Sequence, residues 1–155
     1  MIRLKDFIKN FPLDEQQDNM PWDIIKNITT ILKGTISQLG DDFIVADGVA
    51  VHKSAIIENG VVLKAPIIIC SHCFIGAHAY LRGGVYLGES VSIGPGCEIK
   101  TSIISSESCI SHFNFIGDSI IGSHVNFEAG SVTANYHNDK PDKKIYAFYN
   151  STTIV

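Results

Sequence analysis

From Val51 onward an aliphatic residue returns at every sixth position: Val51, Ile57, Leu63, Ile69, Ile75, Leu81, Leu87, Ile93 and Ile99. One five-residue step carries the series to Ile104, Ile110 and Ile116; a second leads to Ile121 and then Phe127. The residue four places after each aliphatic is small or apolar at Ala55, Val61, Ile67, Cys73, Ala79, Val85, Val91, Cys97 and Ile103. Later it becomes more polar, through Ser108, Asn114, Ile120, Val125 and Ser131. A period of six drifts around a cylinder of 3.6 residues per turn, so no α-helix produces it. A short strand does, if the aliphatic and the residue two before it both point inward. The remaining residues then make a corner, where glycine tolerates positive φ. Glycine duly follows the aliphatic at Gly76, Gly88, Gly94, Gly117 and Gly122. Three such units close a triangular coil of about 18 residues, and coils stack as parallel strands about 4.8 Å apart. Positions 51 to 131 therefore predict an all-β fold, a parallel β-helix of between four and five coils.

The flanks follow other rules. Pro21 suits the first turn of a helix, and Trp22, Ile25, Ile28, Leu32, Ile36 and Leu39 then fall at helical spacing. A helix is expected from about 21 to 38, with a shorter one over residues 3–10, and these helices are expected to cap the first coil. After Tyr136 comes a polar loop, HNDKPDKK, and then IYAFYNSTTIV, which has high β-propensity and a break at Tyr149-Asn150-Ser151. That segment reads as a hairpin or a docked arm. The chain thus divides into a helical segment (1–40), the β-helix (41–136) and a loop with a C-terminal arm (137–155).

Composition narrows the function classes. The 155 residues suffice for one domain, and 45% hydrophobic against 18% charged residues excludes a disordered chain. A net charge of -4 leaves no basic footprint for nucleic acid. No apolar run approaches the roughly 18 residues of a membrane span. The N-terminal MIRLKDFIKNF has no uninterrupted apolar core of a secretory signal, so a cytoplasmic location with reduced cysteines is expected. A phosphate-binding G-x-x-x-x-G-K-[ST] is absent, and Gly94 and Gly96 lack the third glycine of a dinucleotide fingerprint.

The coil register sorts the charged residues. Residues 18 apart sit above one another, which stacks Lys64, Arg82 and Lys100 as a ladder of cations, each directly after an inward aliphatic. Neighbours at about 5 Å repel by up to roughly 3 kcal/mol at an effective dielectric of about 20, less where the side chains splay. Such a ladder suits a phosphate or a carboxylate; the competing reading is a solvated charged face. The next coil carries Gly117-Asp118 on that face. His112 approaches the same corner, where neighbouring cations favour the neutral imidazole that a general base requires. No two of the six histidines are about 18 apart, so no metal site is expected within one chain. Cys73 and Cys97 read as core fillers, with Cys70 pointing away.

The repeat resembles the left-handed β-helix acyltransferases. Within it, His112-Phe-Asn-Phe-Ile-Gly-Asp118, then Ile121-Gly122, Val125-Asn126 and Ala129-Gly130-Ser-Val-Thr-Ala-Asn135-Tyr136 is similar to the acetyltransferase domain of the bifunctional N-acetylglucosamine-1-phosphate uridyltransferase/glucosamine-1-phosphate acetyltransferases. Pro21-Trp22-Asp23-Ile24-Ile25 resembles the linker helix of related enzymes. The left hand comes from the resemblance, since the usual crossover rule favours the other one. The resemblance also implies His112 as general base, Arg82 and Lys100 at the phosphate, and Asn126, Asn135 and Tyr136 at the sugar. It implies acetyl-CoA as co-substrate, an amino-sugar phosphate as acceptor, and a homotrimer with sites between subunits. Phe115 stands where the family has a sugar-binding tyrosine, so one hydrogen bond is lost. The nucleotidyltransferase signature is absent, as are the later coils that hold the coenzyme. Two alternatives stand beside the enzyme: a non-catalytic sugar-phosphate-binding β-helix, and a fragment of a longer enzyme.

Overall fold

The computed structural model describes residues 3–8, 11–13, 16, 18–133, 141–142, 146–149 and 151–154. Its core follows the six-residue period. Ile69, Ile75, Leu81, Leu87, Ile93, Ile99, Ile104, Ile110 and Ile116 line one continuous interior, interleaved with Ile67, Cys73, Ala79, Val85, Val91 and Cys97. The strands that carry them are parallel and form three walls. Val49–His52 and Ile67–Ile69 begin the first wall. The later halves of Tyr80–Leu87 and Glu98–Ile104 continue it, and Ile120–Ile121 ends it. The second wall stacks Ile56–Ile57, Phe74–Ile75, Ser92–Ile93, Cys109–Ile110 and Asn126–Phe127. The third stacks Val62–Leu63, the early halves of the same two long strands, Phe115–Gly117 and a bridge to Val132. The architecture is the left-handed parallel β-helix.

Both five-residue steps fall at one corner, between the third and first walls. In one coil that corner is Gly83-Gly84; in the next it is Thr101 alone, and then Asp118 alone. Hence Arg82 pairs with Lys100, but Val85 pairs with Ser102. Losing one residue inverts the in–out alternation relative to the count from the preceding aliphatic. The expectation that Ile103 and Ile120 point inward is therefore corrected. Fully buried Ser102 stands two before Ile104, while Ile103 belongs to a second core outside the coil, with Ile120 packed against it.

That second core is where the N-terminal segment binds. Ala50, Ile68, Tyr86, Ile103 and Ile120 form an outward apolar column on the first wall, facing Ile24, Ile28 and Leu32 of helix α1 (Pro21–Ile36). A helical turn rises 5.4 Å and coils are about 4.8 Å apart, so roughly one turn meets each coil. The helix starts at Pro21 as expected and stops at Ile36, two residues short of the expected end. It does not cap the first coil; it packs along the side of the stack. The edge of the first coil is covered on one wall by Phe43–Ala46, antiparallel to Val49–His52. Of the expected helix over 3–10, the described residues form a single 3-10 turn, Leu4–Asp6. The C-terminal arm is a hairpin, Ala147–Tyr149 against Thr152–Ile154.

Candidate functional site

The backbone register stacks the cations. Arg82 and Lys100 are direct partners across adjacent strands, and the Lys64 amide donates to the Leu81 carbonyl at 2.8 Å, which puts Lys64 one coil above Arg82. All three lie on the third wall. The column then meets Gly117, the partner of Lys100.

The ladder differs from a row of bare charges. Arg82 Nε donates to Glu98 Oε1 at 2.7 Å, and its guanidinium carbon lies 5.9 Å from the centre of the Tyr80 ring. Lys100 Nζ donates to Asp118 Oδ2 at 2.8 Å. Both cations thus lean toward carboxylates on the following coil, which relieves the repulsion between rungs. Lys64 is exposed and has no carboxylate partner among the described residues. Three cations against two carboxylates leave this face with a single positive charge. Sequence reasoning missed Glu98. Its signal is the 18-residue spacing from Tyr80, which stacks it in the column beside the ladder. Asp118 reaches Lys100 because it is a one-residue corner: its φ is +48° and its amide donates to the Lys100 carbonyl at 2.9 Å.

Phe115 shares this wall, in register with Glu98. Its ring folds along the wall toward the ladder column: a Cβ at Gly117 would stand 2.7 Å from Phe115 Cε1. The aromatic therefore occupies the place of the fourth rung.

His112 stands at the corner between the second and third walls. Its carbonyl accepts from the Gly130 amide at 3.0 Å, and the next amide, of Phe113, donates to the Pro95 carbonyl at 3.1 Å. The backbone is fixed from both neighbouring coils while the imidazole is exposed. Phe113 is 73% exposed, with φ +54°, and lies over Gly96, where a Cβ would come within 2.7 Å of its ring. Five residues separate His112 from Gly117, no more than about 18 Å of extended chain.

Asn126 is not on the ladder's wall. It pairs with Cys109 on the second wall, and its amide donates to Glu128 at 2.7 Å. Arg82, Lys100, Lys64 and Phe115 thus share one wall, His112 stands at its edge, and Asn126 lies around the corner. Asn135 and Tyr136 lie outside the described residues. A cleft of about 740 Å³ between α1 and the last coils reaches the ladder only at Asp118, which lines it; clefts of about 620 and 300 Å³ lie elsewhere, beside Glu107 and His124 and at Glu58. The ladder face is open in a single chain.

All four cysteines are free thiols. Cys73 is in the core, where burial pushes its thiol up to about 12. Cys70 faces the second core, and its thiol donates to the Tyr86 hydroxyl at 3.3 Å. Among the described residues no three His, Cys, Asp or Glu side chains converge on a metal position, and no helix is long and apolar enough to cross a membrane.

Residues 66–101 match the family described as bacterial transferase hexapeptide (six repeats). The bifunctional protein GlmU of Methanococcus maripaludis strain C7 is 49% identical over 128 residues, covering 78% of this chain and 31% of that protein. GlmU of Wigglesworthia glossinidia brevipalpis is 34% identical over 128 residues, covering 79% of this chain and 27% of that protein. The chain spans less than a third of the length of these curated relatives. The solved structure of a point mutant of perosamine N-acetyltransferase from Caulobacter crescentus, in complex with CoA and GDP-perosamine, aligns with a TM-score of 0.41 at 17% identity, over 54% of this chain and 49% of that one. The chain is a hexapeptide-repeat protein, and its resemblance to the bifunctional GlmU proteins extends over most of its length.

Proposed function

We propose that this hexapeptide-repeat chain carries the acceptor site of an acetyl-CoA-dependent N-acetyltransferase whose substrate is an amino-sugar phosphate resembling glucosamine-1-phosphate. The observation that carries the reading is the shared wall: Arg82 and Lys100 in direct register, with Phe115 between them and the corner that holds His112. A phosphate on the cations would lay the sugar ring along Phe115 and direct its amine toward His112. The similarity to GlmU proteins supports the coarser reading of an acyltransferase that acts on a sugar derivative.

In this mechanism the unprotonated His112 removes a proton as the sugar nitrogen attacks the thioester carbonyl of acetyl-CoA. The C–N bond forms, the C–S bond breaks, and the coenzyme leaves as its thiol after taking a proton. Arg82 and Lys100 orient the acceptor through charge-assisted hydrogen bonds. The wall is open in one chain and His112 and Phe113 project from its edge, which supports a homotrimer in which a neighbouring copy closes the site. Asn126, on the adjacent wall, and Asn135 and Tyr136 belong to the same proposed acceptor site.

The test is coenzyme release by the purified chain with glucosamine-1-phosphate, comparing wild type with His112→Ala. The expected result is turnover by wild type and loss of turnover in the variant with an unchanged melting transition. Equal turnover in the variant would remove His112 from the chemistry. Calorimetry with each ligand separately decides the other reading. Sugar-phosphate binding without acetyl-CoA binding would identify a binding protein that lacks the coenzyme site.

A further inference from the structure

Arg82 is gripped from one side. Its Nε donates to Glu98 Oε1 at 2.7 Å, and the guanidinium lies over Tyr80 with 5.9 Å between its carbon and the ring centre. Tyr80 and Glu98 are direct partners in adjacent coils, each two residues before a rung of the ladder. The carboxylate and the aromatic therefore lie in the neighbouring column and take one edge and one face of the guanidinium. The two terminal nitrogens have no hydrogen-bond partner among the described residues. The Arg82 and Glu98 side chains are 39% and 35% exposed, so the pair is neither buried nor freely solvated.

We propose that Glu98 is a positioning residue. It anchors Arg82 at Nε and thereby presents the terminal nitrogens as a fixed two-donor fork to the phosphate of the substrate. The proposal rests on the reading of this wall as a sugar-phosphate site. A planar guanidinium held at Nε keeps its outer edge directed, whereas an unanchored arginine must be ordered when the ligand binds. Lysine offers no such edge, so Lys64 and Lys100 contribute charge and Arg82 contributes geometry.

Charge and positioning make opposite forecasts for Glu98. A carboxylate beside an anion site repels the anion, so on electrostatics alone its removal tightens phosphate binding. If Glu98 positions Arg82, its removal weakens binding despite the gain in positive charge. Glu98→Gln separates the two, because the amide oxygen keeps the acceptor for Nε and loses the charge.

The experiment is calorimetry of the full chain and its variants with inorganic phosphate and with glucosamine-1-phosphate. It is paired with nitrogen-edited NMR of the Arg82 Nε–H, which reports the anchor without any ligand. Glu98→Ala is expected to weaken both anions by about tenfold, the scale of one charge-assisted hydrogen bond, and to lose the protected Nε–H signal. Glu98→Gln is expected to restore both. Binding by Glu98→Ala as tight as wild type, or tighter, overturns the positioning role and leaves the anion site standing. Failure of wild type to bind either anion overturns the sugar-phosphate reading and this proposal with it. An Nε–H signal that survives in Glu98→Ala overturns the anchor alone.

Discussion

Gly84 backs directly onto Ile28 of α1: a Cβ at Gly84 would stand 2.8 Å from Ile28 Cγ2 and 3.4 Å from Thr29 Cγ2. Gly84 belongs to the two-residue corner that the following coils shorten to one, and its φ is +94°. The absence of a side chain therefore serves two ends, the turn of the coil and the approach of the helix. Gly84→Ala is expected to lower stability by about 1–3 kcal/mol, from backbone strain and displacement of the helix. Urea unfolding followed by circular dichroism measures it. An unchanged midpoint would mean that the helix stands off the corner.

The second core makes a separate forecast. Ile103 and Leu32 are both fully buried, one on the outside of the coil and the other on α1. Ile103→Ala and Leu32→Ala are each expected to cost about 2–5 kcal/mol, as for other aliphatic truncations in closed packing. Hydrogen exchange should show faster opening of Pro21–Ile36 in both variants. Protection of α1 unchanged by Ile103→Ala would place that side chain inside the coil, where an unbroken period would put it.

Those two residues also mark the boundary of what the sequence reveals. The inward column was legible because every coil must fill the same narrow interior, and Ile69, Leu87 and Ile104 repeat that demand. The outward column through Ile68, Tyr86 and Ile103 was not. Apolar residues on both sides of a strand look alike until the register says which way each points. Similarly, α1 was legible from its periodic apolar face and Pro21, but not its partner, because amphipathicity names no surface. At the candidate site, the stacking of Arg82 on Lys100 follows from 18-residue arithmetic. Asp118 follows from it too, being 18 residues beyond Lys100, although its reach depends on the one-residue corner. Glu98 does not, since its bond to Arg82 runs diagonally, 16 residues apart, between neighbouring columns. The spacing of Asn126 from Lys100 is 26 residues, which fits no whole number of coils. That signal was available and places Asn126 on another wall.

Unequal commitment of the three cations predicts unequal effects. Arg82→Ala is expected to weaken phosphate ligands by about 1.5–3 kcal/mol, the loss of a charged hydrogen bond from a half-buried fork. Lys64→Ala removes an exposed point charge, so its effect should stay under about threefold at low salt and fade as salt is raised. Calorimetry at two ionic strengths separates them. A Lys64 effect equal to that of Arg82 and insensitive to salt would mean that Lys64 contacts the ligand directly.

The buried thiols predict how stability responds to alkali. Burial is the largest influence on Cys70, Cys73 and Cys97 and raises all three, Cys73 to about 12; it also raises the Tyr86 hydroxyl. Each of these groups is neutral when protonated and keeps its proton to higher pH in the folded chain than in the unfolded one. Between the two values the folded state binds more protons, so the free energy of unfolding falls as pH rises. Stability should be level with respect to these groups below the unfolded thiol value and decline from about pH 9 toward about 12, the window set by Cys73. Replacing Cys73 with Ala lowers the starting stability by leaving a small void, but should make the alkaline slope shallower. Unfolding midpoints between about pH 8 and 10.5 test this, and the slope is the informative quantity. The same burial should slow alkylation of native Cys73 relative to half-exposed Cys109, because only the thiolate reacts. Equal alkylation rates in the native chain would mean that the interior of the coil opens to solvent on the reagent's timescale.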